Sequence, residues 1–167
     1  MNYTQTLEFL YASLTSFQQK GAEAYKPGLD RITAFCRHLG NPQRNFFTVH
    51  VAGTNGKGSV SHILASVLQQ AGYRTGLYTS PHLHDFRERI RIDGAPLPEA
   101  LWPELATEVH AARPDLTYFE FLTVLAVLAF ARQGVQLAVM EAGLGGAHDA
   151  TTALASDLTC VAPVAMD

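Results

Sequence analysis

The densest chemical signal in the sequence is a run of small and polar residues: Gly53, Thr54, Asn55, Gly56, Lys57, Gly58 and Ser59. Glycines at positions 53, 56 and 58 allow the backbone conformations and the close approach that a phosphate group requires. Successive N–H groups in such a turn form a concavity for an anion, completed by the N-terminus of the helix that follows. Lys57 supplies a compact positive charge for outer phosphates, and Ser59 offers a hydroxyl to Mg²⁺ or phosphate. The spacing departs from the strict phosphate-loop pattern, which wants glycine where Val51 stands and Ser or Thr where Gly58 stands. The run points to nucleotide phosphates; a flexible strand–helix turn with an incidental lysine is the structural alternative.

Two more carboxylate- and hydroxyl-bearing turns follow apolar stretches. Glu141 closes the run Val139-Met140 and precedes Ala142, Gly143, Leu144, Gly145 and Gly146. A buried carboxylate there costs several kcal/mol unless something pairs it. Mg²⁺ in nucleotide sites takes one or two carboxylates plus phosphate oxygens, so Glu141 is a candidate metal ligand; a capping or surface role at a strand end is the alternative. Ser80, in Thr79-Ser80-Pro81-His82-Leu83, is either a second oxygen ligand or part of an ordinary turn. Thr117 and Glu120 have the spacing of a capping box, while Tyr118 and Phe119 between them could equally wall a pocket for a flat heterocycle. None of the histidines forms an HxxxH or HExxH pair, so zinc at His82 and His84 is not expected.

The elements that must position these turns follow from periodicity. Apolar residues three and four apart predict helices over 4–17, 29–39, 58–71, 98–112 and 119–132, the last apolar nearly all round and hence buried. Short runs rich in β-branched and aromatic residues predict strands at 46–52, 75–79, 137–141 and 158–164. The alternating segment 89–92 runs into the turn signal Asp93-Gly94. Strands alternating with helices imply a parallel sheet covered on both faces. Ligands of such sheets sit beyond the carboxyl ends of the strands, so residues 53–59, 80–85 and 141–152 should converge on one rim.

Bulk composition narrows the classes. The chain has 167 residues, 47% hydrophobic and 16% charged, with net charge -3. That balance excludes a basic nucleic-acid binder, so an anionic ligand must be held by local devices. The longest apolar run, 121–131, is too short for a bilayer span of about 20 residues. The start of the chain has no basic region followed by an apolar core. Cys36 and Cys160 match no metal or redox spacing and read as free thiols in a reducing compartment. These readings make a soluble, cytoplasmic protein the expectation, with neither nucleic acid nor membrane as partner.

Taken together the motifs resemble the dihydrofolate synthase/folylpolyglutamate synthase family, relatives of the Mur ligases. The resemblance is carried by Lys26-Pro27-Gly28-Leu29-Asp30-Arg31, the 53–59 run, Thr79-Ser80-Pro81-His82-Leu83, Arg87-Glu88-Arg89-Ile90-Arg91, Thr117-Tyr118-Phe119-Glu120 and Glu141-Ala142-Gly143-Leu144-Gly145-Gly146. It implies an α/β, three-layer, parallel-sheet phosphate-loop fold of the Mur ligase central-domain type. It also implies ATP-dependent joining of L-glutamate to dihydropteroate or folate through an acyl phosphate, with Mg²⁺. By resemblance, Gly53, Thr54, Asn55, Gly56, Lys57, Gly58 and Ser59 bind ATP, and Ser80 and Glu141 ligate Mg²⁺. Lys57 and Glu141 would be the catalytic pair. The pterin would lie near Tyr25, Lys26, Pro27, Thr117, Tyr118, Phe119, Glu120, His148, Asp149 and Ala150.

The match departs from the family at two positions. The family usually has Arg and Asn where Ala147 and Thr152 stand, which removes a charge and an amide from the implied site. The family also extends beyond what residues 1–167 cover, into the rest of the ATP-binding domain and a C-terminal domain. The expectation is therefore an N-terminal part of the ATP-binding domain with an incomplete sheet, an uncovered strand edge and apolar face, and no ligase turnover alone. Two other readings stand beside this one: a pterin- or nucleotide-binding module of the same fold with impaired catalysis, and an unrelated phosphate-loop NTPase.

Overall fold

The computed structural model describes residues 1–13, 28–112 and 115–165. Tyr25, Lys26 and Pro27, and the last residues of the first expected helix, lie outside the described residues. In chain order come α1 (Tyr3–Ser13), α2 (Asp30–His38), β1 (Phe47–Ala52), α3 (Lys57–Gln70), β2 (Thr75–Tyr78), β3 (Ile90–Ile92), β4 (Ala95–Pro96), α4 (Leu101–Ala111), α5 (Tyr118–Arg132), β5 (Leu137–Glu141) and β6 (Leu158–Val161). Short 3-10 turns at Pro42–Asn45, Phe86–Arg89 and Ala150–Leu154 link them.

The sheet has the order β4-β3-β2-β5-β1-β6. Strands β2, β5, β1 and β6 are mutually parallel, but β3 runs antiparallel to β2 and β4 antiparallel to β3. The parallel sheet expected from the sequence is present, and the hairpin signalled at 89–94 extends it at one edge as the antiparallel pair β3 and β4. The reason lies in the connections. Parallel neighbours need a long crossover, usually helical, whereas residues 79–89 between β2 and β3 hold one 3-10 turn and no α-helix. Asp93 and Gly94 join β3 to β4 with φ of 50° and 79°, the left-handed pair that a tight hairpin requires.

The period-two alternation of strands sorts their side chains between two cores. Tyr78, Ala138 and Met140 face the larger one, with α1, α2, α4 and α5. Leu77, Val139, Val49 and Val51 face the smaller one, where α3 contributes Ala65. Three layers result. α5 lies deepest: Leu122, Val124, Leu125, Val127 and Phe130 are all buried, as its continuous apolar sequence demands. Its first turn is closed by the expected capping box, with Thr117 N donating to Glu120 Oε2 at 2.7 Å and Glu120 N donating to Thr117 Oγ1 at 3.3 Å.

Two boundaries move. The helix expected from residue 98 begins at Leu101, whose N–H first closes a turn on Pro98 O. The last strand stops at Val161 rather than 164, because Pro163 has no N–H to continue the ladder. β6 forms one edge of the sheet with Leu158 and Val161 exposed, and Ile63 and Val67 on α3 are exposed as well. The uncovered edge and apolar face expected from the sequence are both present. No helix among the described residues is long and apolar enough to cross a membrane.

Candidate nucleotide-binding site

The loop between β1 and α3 is held from behind. Gly53 has φ 134°, and a Cβ there would stand 2.6 Å from Ala162 O; both the dihedral and the space require glycine. Thr54 N and Asn55 N donate to Pro163 O at 3.0 and 3.2 Å. Thr54 Oγ1 also donates to Ala165 O at 3.1 Å and accepts from Ala165 N at 3.2 Å. Those two amides are therefore engaged in bracing the loop. Gly56, with φ 80°, leads into α3, so the N–H groups of Lys57, Gly58 and Ser59 at the helix start are the ones presented to an anion. Lys57 Nζ folds back on Gly53 O at 2.7 Å and Thr54 O at 3.3 Å. Ser59 is exposed.

Glu141 ends β5 beside that helix start. A Cβ on Gly58 would lie 3.5 Å from Glu141 Oε1 and 3.8 Å from Oε2, so the carboxylate sits against the first turn of α3. Ser80 N donates to Glu141 Oε2 at 3.1 Å, which brings the 80–85 loop to the same point. The convergence of three loops on one rim holds. Glu141 is buried, and this burial pushes its carboxyl upward, against the Ser80 N–H, Lys57 and His62, with Asp149 adding to the rise. Among the described residues Glu141 Oε1 and Ser80 Oγ have no hydrogen-bond partner. A buried carboxylate with a spare oxygen beside a helix N-terminus suits a hard cation that brings phosphate oxygens as its other ligands. No cluster of three His, Cys, Asp or Glu that could cage a metal occurs among the described residues.

The second glycine-rich loop, 143–146, is organised from within. Asp149 is buried, and its Oδ2 accepts from Gly143 N and Leu144 N, each at 2.9 Å. Its Oδ1 accepts from Thr151 N at 3.0 Å and Thr151 Oγ1 at 2.6 Å. Thr151 Oγ1 lies 2.8 Å from Nε2 of buried His50 on β1. The hydroxyl has one hydrogen and gives it to Asp149, so it accepts from His50, whose Nε2 carries the proton. Burial pushes His50 below its ordinary value, with Asp149 opposing. Thr152 Oγ1 donates to Gly146 O at 2.7 Å, closing the loop where the family usually has asparagine. Ala147 and His148 are exposed and Ala150 is buried.

The aromatic segment flanks this loop. A Cβ on Gly143 would lie 2.7 Å from the Phe119 ring, and Phe119 stands 5.8 Å from Tyr78. Tyr118 stacks on Tyr11 at 6.2 Å. Glu120 is spent on structure: besides the capping box, its Oε1 accepts from Arg31 Nη2 at 3.1 Å. Asp149 likewise has all four of its acceptor positions filled. Of the residues the sequence placed near a heterocycle, Tyr118 is buried against Tyr11 and Phe119 lies beside Gly143 and Tyr78, while Glu120 and Asp149 are engaged in hydrogen bonds within the fold. Sequence reasoning did not single out His50, Thr151 or Pro163, since each acts on a residue about 100 positions away.

These features define an α/β protein of the phosphate-loop class with a buried carboxylate beside the loop. No family model matches the chain. The dihydrofolate synthase/folylpolyglutamate synthase of Escherichia coli strain K12 is 40% identical over 142 residues, 84% of this chain and 34% of that protein. The folylpolyglutamate synthase of Lacticaseibacillus casei is 37% identical over 176 residues, 100% of this chain and 40% of that protein. The solved structure of E. coli FolC in complex with DHPP and ADP superposes with a TM-score of 0.89 at 35% identity, covering 100% of this chain and 39% of that one. The chain belongs to the dihydrofolate synthase/folylpolyglutamate synthase family and spans between 34% and 40% of the length of these relatives.

Proposed function

We propose that the chain is the N-terminal part of the ATP-binding domain of a cytoplasmic ligase that joins L-glutamate to dihydropteroate or folate at the expense of ATP. The observation that carries this reading is the meeting of Glu141 and Ser80 at the start of α3, directly after the phosphate loop. The relatives' names, and a complex of one of them with DHPP and ADP, support the choice of substrates.

The chemistry divides into two displacements. A carboxylate oxygen of the pteroate or folate attacks the γ-phosphorus of ATP and ADP leaves, giving an acyl phosphate. The amine of L-glutamate then attacks the acyl carbon, phosphate leaves and the nitrogen loses a proton. Little covalent work falls to the protein; charge must be neutralised and the groups kept in line. The amides of Lys57, Gly58 and Ser59 hold the terminal phosphates at the helix start. Lys57 exchanges its two loop carbonyls for phosphate oxygens when nucleotide enters. Glu141 and Ser80 would hold Mg²⁺, which would supply charge neutralisation on the nucleotide phosphates. Tyr118 and Phe119 wall the aromatic ring of the acid.

The test is calorimetry with AMPPCP. Binding is expected to require Mg²⁺ and to lose that requirement, along with most of its affinity, in Glu141→Gln. Equal binding with and without Mg²⁺, or an unchanged Glu141→Gln, would overturn the reading.

A further inference from the structure

Arg89 is an anomaly of charge. It is 3% exposed, yet it makes no ion pair among the described residues. The arginines that do pair with carboxylates, Arg31, Arg74, Arg87 and Arg132, keep between 26% and 47% of their side chains exposed. A guanidinium cannot shed its charge when buried, so enclosure without a counter-charge is costly in free energy. Its acidic neighbours are occupied elsewhere. Asp85 binds Arg87. Glu88 accepts from the N–H groups of Leu83, His84 and Asp85. Glu120 binds Arg31.

What Arg89 does contact fixes its position and leaves its outer nitrogens free. Nε donates to His82 Nδ1 at 3.0 Å. Cζ lies 5.7 Å from the centroid of Phe86 and 5.9 Å from that of Tyr118. Neither Nη group has a hydrogen-bond partner among the described residues. The ring contacts are favourable, but they do not neutralise the charge. The place is also specific. His82 belongs to the loop whose Ser80 touches Glu141, and Tyr118 neighbours the Phe119 ring that lies on Gly143. Arg89 thus touches both segments: His82, two residues after Ser80, and Tyr118, next to Phe119.

We propose that Arg89 is the carboxylate anchor of the acid substrate: tied by Nε to His82 and flanked by Phe86 and Tyr118, it offers its two Nη groups to the carboxylate of an aromatic acid. The planar fork matches a carboxylate in two parallel hydrogen bonds, which a lysine in its place would not reproduce. The aromatic flanks favour a carboxylate attached to a ring over an aliphatic one. Arg89 thereby orients the acid relative to the nucleotide. This inference rests on the reading of the site as one for a pterin-type acid.

The experiment compares pteroate with its methyl ester on the unmodified chain by calorimetry, with fluorescence of Trp102, whose ring lies 5.0 Å from Phe86, as a second readout. The acid is expected to bind at least about tenfold tighter than the ester, a difference of about 1.4 kcal/mol. In Arg89→Met that preference disappears and both bind as weakly as the ester, while Mg²⁺-dependent AMPPCP affinity is kept; Arg89→Lys restores part of the preference. Equal binding of acid and ester to the unmodified chain, or a folded Arg89→Met that still prefers the acid, overturns the anchor and leaves the pterin reading standing. Binding of neither compound to the unmodified chain overturns both.

Discussion

The two glycine-rich loops of the rim sit on adjacent strands and are held in opposite ways. The loop after β1 is braced from outside: Pro163 O takes the N–H groups of Thr54 and Asn55, and Ala162 O closes the space beside Gly53. The loop after β5 is braced from inside by one buried carboxylate, Asp149, which collects four hydrogen bonds and is itself backed by Thr151 and His50. The first arrangement spends neutral carbonyls and leaves the helix-start amides free for an anion. The second spends a negative charge on its own amides. The difference teaches that glycine richness alone does not make an anion site: the 143–146 loop already contains its anion.

The largest effect should come from removing that internal anion. Asp149→Ala strips the acceptor from Gly143 N, Leu144 N and both Thr151 donors in a buried setting. The expected loss of stability is about 3–5 kcal/mol, read as a fall in denaturation midpoint, with hydrogen exchange of the 143–146 amides accelerated far more than that of the 57–59 amides. A loss below about 1 kcal/mol would mean that solvent or a cation can replace the carboxylate. Gly53→Ala attacks the other loop. The backbone strain at φ 134° is on the order of 1–3 kcal/mol, and the Cβ must also displace residues 162–165. AMPPCP binding is expected to be lost while the 143–146 amides keep their protection. If both loops fail together, their supports are coupled.

How much of this was legible beforehand follows the range of each interaction. The phosphate loop, the buried character of α5 and the Thr117–Glu120 capping box are written within a few residues of sequence, and the structure has each where the spacing placed it. Glu141 and Ser80 meet because each follows a parallel strand, which topology supplies without further information. Pro163, His50 and Arg89 were not legible. Pro163 stops a strand by a local rule, but which amides its carbonyl receives depends on β6 pairing with β1. His50 lies in an apolar strand, where alternation places it on the α5 side without naming Thr151 as its partner. Arg89 alternates with Ile90 like an exposed strand residue; only the packing of Phe86 and Tyr118 around it makes it buried.

Thr151→Val probes the relay more gently. It leaves His50 Nε2–H without an acceptor and removes one donor from Asp149, for an expected loss of about 1–3 kcal/mol. His50 gives this relay a pH signature. Its folded value lies below the ordinary 6.5 because burial disfavours the imidazolium. The unfolded chain therefore binds the extra proton first, and stability is expected to fall as pH drops through 6.5. His50→Gln, which keeps an Nε2–H donor without a titrating ring, should flatten that part of the stability profile; an unchanged slope would show that His50 titrates alike in the folded and unfolded chain.

The 80–85 loop supplies the third way to support a strand end, and the smallest effect. Its brace is Glu88, which accepts from Leu83 N at 2.9 Å, His84 N at 3.2 Å and Asp85 N at 3.0 Å, all within five residues. The N–H groups of Leu83 and Asp85, with His84 adding, lower the Glu88 carboxyl from 4.5 to about 2, although desolvation opposes them. A carboxylate with a depressed folded value contributes its full share above the unfolded value and loses it as pH falls toward the folded one. Protection of the 83–85 amides is therefore expected to be complete above 4.5 and to fade between 4.5 and about 2. Because the Glu88 carboxylate braces only neighbouring amides, the effect should be confined to them, and Glu88→Gln should reproduce it at neutral pH without moving the global denaturation midpoint. A midpoint that moves as far as in Thr151→Val would show that this loop, despite its local brace, is coupled to the buried network behind the 143–146 loop.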